Sequence, residues 1–473
     1  VSVAIWWLRR DLRLTDNEAL TAACRSAATV IPLFILDPAI LHSPWSSPQR
    51  RAFLFGGLRV LDNALRERGS RLIVRQGKPL PVLTALAAEQ GVTALHAERD
   101  YTPYAQQRDA QIAAQLPLVL HEGVTVRPPA TVLKNDGTPY LVYTPYQKRW
   151  LSLGEIARSA ILPAPRALST PTTIESLPLP QESTPPFFPP SEEEAKRRVA
   201  AFIHSTTAPV YDYAQGRNLP ATNATSQLSP YLRFGMVSPR LAALAAYTAI
   251  AQAPTPDARE GATIWLSELI WRDFYIGVMH HFPQVHAGSY RQEFQRVAWA
   301  NHEEHFAAWC EGRTGYPFVD AAMRQLRTLG WMHNRARMVV ASFLVKDLLI
   351  DWRWGERWFM QNLIDGDPAA NNAGWQWVAG TGVDAAPYFR VFNPVSQSEK
   401  FDPQGAYIRR WVPELTHVPQ KFIHAPWLMS ERDQIAARCR LGVDYPTPLV
   451  DHAWAKERML AAYRAVRQPG STD

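Results

Sequence analysis

Two segments late in the chain set polar side chains among aromatic ones at helical spacing. In TIWLSELIWRDFY, Trp265, Glu268, Trp271, Arg272 and Tyr275 recur so as to share one face. In GWMHNRARMVVASFL, Trp331, Asn334, Arg335 and Met338 fall at i, i+3, i+4 and i+7. A face made only for packing would be Leu, Ile and Val. A carboxylate and an amide among indoles suit a cavity that hydrogen-bonds the edge of a flat ligand while stacking on its plane. For either segment alone the plainer reading stays open: an aromatic core, with Glu268–Arg272 an i,i+4 ion pair.

A third segment, LIDGDPAANNAGWQW, weighs toward a ligand. Two acids two residues apart, a run of small residues and an Asn pair are poor core material and let backbone approach a bound group. Asp367 before Pro368 marks a helix start. On that helix Trp375 and Trp377 stand about 200° apart, so their rings point to opposite sides. In GRNLPATNATSQLSPYLRFG, Thr225, Ser226 and Ser229 offer hydroxyls and backbone N–H groups ahead of a helix, an arrangement that holds phosphate. Such clusters also cap helices with no ligand present.

What is missing narrows the chemistry. There is no G-x-S-x-G and no Cys–His pair to argue for a nucleophile. Cys24, Cys310 and Cys439 are scattered, with neither metal-site spacing nor a disulfide framework. His280, His281 and His286 lack an acid or Cys at ligand spacing, and NHEEHF at 301–306 lacks the H-E-x-x-H spacing, so no metal is expected. Asn301 with Glu304 reads instead as a helix cap with its N3 acid.

The elements that must position these residues follow from length and pattern. At roughly 150 residues per domain, 473 residues make two or three units, and 47% hydrophobic content can fill a sizeable core. Net charge is +7, compatible with an acidic partner such as nucleic acid without requiring one. The opening VSVAIWWLRR is too short for a signal peptide, and no apolar run nears the ~18 residues of a membrane span. We expect a soluble protein of a reducing compartment, the cytoplasm. VSVAIWWL, TVIPLFIL, SRLIVRQ, VTALHA and PLVLHEG read as strands, separated by helical patterns such as 49–68 and 80–90. That alternation predicts βαβ units and a parallel sheet. No G-x-G-x-x-G follows a strand, and Gly56-Gly57 reads as a close-packing point. Nine prolines between 163 and 190 predict an extended surface linker. Ser191 then opens a helix, and 3.6-residue periodicity continues to about 465. The expected outline is an α/β domain (1–130), a proline-rich linker (131–190) and an all-helical domain (191–473).

Five stretches together are highly specific: WWLRRDLRLTDN, TSQLSPYLRFG, WLSELIWRDFY, TGYPFVDAAMRQLRTLGWMHNRARM and DGDPAANNAGWQWVAGTGVDAAPYFRVFNP. They resemble the photolyase/cryptochrome family, specifically its class I bacterial photolyases of cyclobutane pyrimidine dimers, over nearly the whole chain. The resemblance implies a Rossmann-like α/β domain with an antenna chromophore, a long linker, and an all-α domain holding FAD in a U-shape. It implies light-driven repair of UV-damaged DNA by a monomer with no membrane or obligate protein partner.

Carried over residue by residue, the resemblance makes Tyr213, Thr225, Ser226, Gln227, Leu228 and Ser229 the phosphate-side contacts of FAD. Gln227 departs from the basic residue often found at its position. Trp265, Glu268, Arg272, Trp331 and Asn334 would line the flavin and substrate cavity. Arg337 and Asp365 match a salt-bridged pair beside the flavin ring, and Asp367 an adenosine-side ligand. Asn371 falls where photolyases place an Asn near flavin N5, favouring the reduced anionic cofactor. Trp375, Trp352 and Trp299 match an electron-transfer chain to the surface, while Trp354 and Trp358 are assigned to packing. Trp271 and Trp377 would wall the dimer, and Glu268 and Asn334 would hydrogen-bond its pyrimidine edges. Arg335, Arg390, Lys400, Arg409 and Arg410 are candidates for DNA phosphates. Arg50 and Asp100 are the antenna candidates. The antenna itself could be 8-hydroxy-5-deazaflavin, methenyltetrahydrofolate, a flavin or none. A (6-4) photolyase would need histidines where Asn334 and Met338 stand. A cryptochrome sensor, the other alternative, often has Asp or Cys in place of Asn371.

Overall fold

The structure, a computed structural model, describes residues 2–183 and 187–467. All five expected strands form: β1 (Val3–Leu8), β2 (Thr29–Leu36), β3 (Ile73–Gln76), β4 (Val92–Glu98) and β5 (Leu118–His121). They make one parallel sheet in the order β3-β2-β1-β4-β5. β1 lies at its centre, and residues 4–8 are buried on both faces, which is why its sequence runs apolar instead of alternating. Connecting helices match the periodic segments, Pro48–Arg66 and Pro79–Gln90 among them. Gly57 is a close-packing point as expected: a Cβ there would stand 2.1 Å from Met236 Cε.

By packing, the described chain divides into two units. The first holds residues 1–214, 225–283 and 364–369, and the second 215–224, 284–363 and 370–473. These limits fall elsewhere than the expected boundaries at 130 and 190, and the first unit shows why. Helix Pro256–His281 carries Asp273, which is 1% exposed and accepts hydrogen bonds from Val126 N, Arg127 N and Trp150 Nε1 at 3.1, 2.9 and 3.0 Å. Burial pushes its carboxyl up to about 6. One carboxylate therefore ties a helix beyond the linker to backbone before it.

The proline-rich stretch has no regular element between Ala160 and Ser191 among the described residues. It is bonded more tightly than a loose surface wrap, however. Ser169 O accepts from Val30 N, Leu177 N donates to Val74 O, and Ile174 enters the sheet core at 2% exposure. After it, Ser191 caps helix Glu192–Ile203 through Glu194 N at 3.0 Å, as expected.

The second unit is helical. Trp309, Met332, Phe343, Trp352, Phe359 and Trp375 belong to one buried cluster, with Trp299, Trp354, Trp358 and Trp377 packed against it. The Asn301 expectation is overturned. The N-cap position of helix Glu303–Glu311 falls on His302, whose side chain makes no capping bond, while Asn301 Oδ1 accepts from Asp351 N at 2.8 Å. A partner distant in sequence outcompeted the local cap.

Candidate functional site

In the first unit, loop 225–229 is half-buried at Thr225, Ser226 and Gln227, buried at Leu228 and exposed at Ser229. Gln227 has φ +49, and Leu228 after it is right-handed at φ −84, ψ −7. That change of hand turns successive N–H groups toward one point, a nest suited to an anion. The side chain of Gln227 is a finding in itself. Its Oε1 accepts from Arg198 Nη1 at 2.9 Å, so a cation from helix Glu192–Ile203 stands where the residue itself is neutral. Tyr213 is buried, edge-on to Phe202 at 5.8 Å.

Helix Pro256–His281 sets out the next group. Trp265 is 3% exposed and packs on Phe202, ring centroids 5.0 Å apart. Glu268 is half-buried on the same helix. Trp271 stacks on Tyr143 at 3.5 Å and 5°, which covers one face of the indole. Arg272 bridges backbone: Nη1 donates to Val124 O at 2.5 Å and Nη2 to Leu232 O at 3.3 Å. Asp365 is buried. Asp367 opens helix Pro368–Ala379, its Oδ1 accepting from Ala369 N at 3.0 Å, the helix start read from Asp-Pro.

The sheet contributes a charged cluster. The chain winds β1, β2, β3 to one side and β4, β5 to the other, so the ends of β1 and β4 flank a topological switch point, the usual ligand crevice of such sheets. Arg10, just beyond β1, bonds Asp100 Oδ1, just beyond β4, at 3.2 Å and also pairs with Asp367. Arg233 Nε donates to Gly366 O at 2.8 Å. Burial, with like charge nearby, pulls the guanidinium of Arg233 down to about 9, and burial pulls that of Arg50 down to about 10.

In the second unit, helix Asn334–Ser342 begins at the exposed Asn334. Its cap is His333, whose Nδ1 accepts from Arg335 N at 3.2 Å. Trp331 is buried and edge-on to His333. Arg337 Nε donates to Met332 O at 2.8 Å. Arg335 bonds Asn218 Oδ1 at 2.6 Å and lies 4.3 Å over Phe401, with Met338 Sδ 3.8 Å from its Nη1. Asn371 Nδ2 donates to Glu356 O at 3.0 Å, which fixes the amide and turns Oδ1 into its remaining acceptor. Behind it, Asn372 Nδ2 donates to Glu356 Oε1 at 2.9 Å and to Val285 O at 3.1 Å, and Gln376 Nε2 donates to Asn372 Oδ1 at 2.9 Å. Burial pushes Glu356 up to about 7.

Trp375 and Trp352 are each 2% exposed and share the core cluster. Trp375 meets Phe359 and Trp309 edge-on, while half-buried Trp299 meets Tyr463 at 5.9 Å. Trp354 touches Phe306, in keeping with packing. Trp377 is half-buried beside Arg390, 5.8 Å from its ring. Arg390, Lys400 and Arg410 are exposed. Arg409 differs from a free phosphate contact: Nε and Nη2 donate to Thr416 O and Val418 O at 3.3 and 2.9 Å, and Nη1 to Gln404 O at 2.5 Å.

Several residues escaped the sequence reading. Asn372 was visible as half of an Asn pair, and Arg233 and His333 lie inside quoted motifs, yet nothing local said what they bond. Arg198 and Tyr143 left no signal, because their partners Gln227 and Trp271 are 29 and 128 positions away.

Comparison with known proteins bears on these residues. The family model "DNA photolyase" matches residues 4–167, and "FAD binding domain of DNA photolyase" matches 265–465. The chain is 42% identical to the deoxyribodipyrimidine photo-lyase of Salmonella typhimurium over 478 residues, 98% of each chain. It is 40% identical to that of Escherichia coli over 476 residues, again 98% of each. Among solved structures, a bacterial class III photolyase from Agrobacterium tumefaciens superposes with a TM-score of 0.91 at 37% identity, over 99% of this chain and 98% of the other. A Synechocystis cryptochrome does so at 0.86 and 29% identity, over 98% and 99%.

Proposed function

The chain belongs to the photolyase/cryptochrome family, and from that premise we propose how its residues divide the work. The protein is a deoxyribodipyrimidine photo-lyase that repairs DNA under light and binds FAD. The chemistry supplied by bound, reduced FAD is one electron lent to a cyclobutane dimer under light and recovered once the ring has opened. No nucleophile is needed, in keeping with the sequence.

The residues fit that cofactor. The N–H nest at Gln227 and Leu228, with Arg198 beside it, suits a diphosphate, and the hydroxyls of Thr225, Ser226 and Ser229 add donors. Asp367 takes the adenosine side. The observation that carries the reading is Asn371: with Nδ2 committed to Glu356 O, its Oδ1 can only accept, as a reduced flavin N5–H requires.

Trp271 and Trp377 wall the flipped-out dimer, with Trp271 held in place by its stack on Tyr143. Unstacking costs least at a distorted base pair, which favours the lesion. Glu268 and Asn334 hydrogen-bond the pyrimidine edges beside Met338. Arg335, Arg390, Lys400 and Arg410 hold DNA phosphates, while Arg409 adds charge from a fixed position. Trp375, Trp352 and Trp299 would relay electrons from the surface toward a bound flavin. At the switch point of the sheet, Arg10, Asp100, Arg50 and Arg233 gather buried charge suited to a polar antenna chromophore, 8-hydroxy-5-deazaflavin ahead of a folate or second flavin.

The test is illumination of reduced, FAD-loaded protein with an oligonucleotide bearing one thymine dimer. Thymine absorbance should recover only under blue or near-ultraviolet light. Bound FAD without recovery would mean a light sensor instead.

A further inference from the structure

Helix Trp352–Asn362 begins with Trp352 and carries Gly355 one turn later. Glycine is a poor helix former, and Gly355 sits inside a regular helix with no left-handed turn to explain it. Its reason is steric. A Cβ at Gly355 would stand 2.1, 2.5 and 2.6 Å from Cη2, Cζ3 and Cζ2 of Trp375. The six-membered edge of that indole thus rests directly on the helix backbone. Phe359, on the same helix, meets the ring at 5.0 Å and 74°, and Trp309 meets it at 6.2 Å and 69°. Hemmed in on these sides and 2% exposed, the ring has little room to step back.

We infer that Gly355 is a positioning residue for electron transfer: its missing side chain sets how closely the Trp375 indole approaches the helix that bears Trp352. The inference rests on the proposed relay through Trp375. A methyl group at 355 would push the ring about 1.3 Å, from 2.1 Å out to ordinary contact at 3.4 Å. Electron transfer between rings weakens steeply with such shifts. Gly374, beside Trp375 on its own helix, is the contrast, since a Cβ there meets nothing within 4 Å.

The experiment uses the full chain with FAD and compares Gly355→Ala, Gly374→Ala, Trp375→Phe and the double variant Gly355→Ala/Trp375→Phe. Light-driven reduction of oxidised flavin by an external thiol is timed, dimer repair by chemically pre-reduced protein is measured, and Tm is recorded with and without flavin. Gly355→Ala should slow photoreduction several-fold and lower Tm while repair per bound flavin holds, and Gly374→Ala should photoreduce like the parent. The double variant should regain the lost Tm, because the smaller ring clears the methyl; this holds even if Gly355→Ala alone does not fold. Wild-type photoreduction in Gly355→Ala, with Trp375→Phe blocked, overturns the inference. So does a double variant no more stable than Gly355→Ala, or repair that falls in step with photoreduction. If Trp375→Phe photoreduces normally, the relay reading has failed, and the inference falls with it for that separate reason.

Discussion

Glu268 and the indoles at 271 and 377 are the single side chains proposed to meet the dimer. Glu268 is half-buried on helix 256–281, neighbour to a tryptophan with one covered face. Its proposed work is on the pyrimidine edge, so Glu268→Ala should lower the yield of repaired dimer per photon more than it lowers FAD content. An unchanged yield removes it from the mechanism. Trp352 is proposed for different work. Trp352→Phe should block light-driven reduction of oxidised flavin yet leave repair by pre-reduced protein largely intact; equal loss of both contradicts the relay. At this scale the sequence was informative about residue type and silent about partners. Asn371 was picked out by its motif, but the Glu356 carbonyl that orients its amide lies 15 positions earlier on another helix.

Among the elements, helix 334–342 shows how local structure serves the site. Its cap is a buried neutral imidazole, 2% exposed, whose Nδ1 must stay unprotonated to accept from Arg335 N. Burial, then Arg335, Arg337 and Arg217, pull its pKa down to about 4. Unfolded histidine titrates near 6.5. Between pH 6.5 and 4 the unfolded chain therefore gains a proton that the folded cap refuses, and stability falls with pH by roughly 3 kcal/mol from this residue, at about 1.36 kcal/mol per unit. His333→Asn keeps a capping acceptor that does not titrate, so its unfolding free energy should fall less from pH 7 to pH 4.5 than that of the parent. Parallel slopes in denaturant titrations would show that His333 does not titrate this way. Helix 303–311 starts without a side-chain cap because the Asn301 amide is held by the backbone of Asp351, a partner far along the chain.

For the whole molecule, net charge of +7 gains meaning from where the cations stand. Arg390, Lys400 and Arg410 are exposed, whereas Arg409 is spent on backbone carbonyls. The logarithm of the affinity for dimer-bearing duplex should fall linearly with the logarithm of salt concentration. Lys400→Ala and Arg410→Ala should each flatten that slope by about one, whatever the flanking sequence. Slopes equal to the parent's would place these residues off the DNA path.

Strand positions, the parallel sheet, the helix starts at Ser191 and Asp367 and the motif residues were legible in the sequence, because each depends on neighbours within a few positions: alternation, run length, a cap or a proline. The packed units, the hydrogen-bonded course of the proline-rich stretch and the pairings Gln227–Arg198, Trp271–Tyr143 and Gly355–Trp375 were decided only by the tertiary structure. Such contacts join residues far apart in the chain, and close packing selects them from many partners of equal local merit.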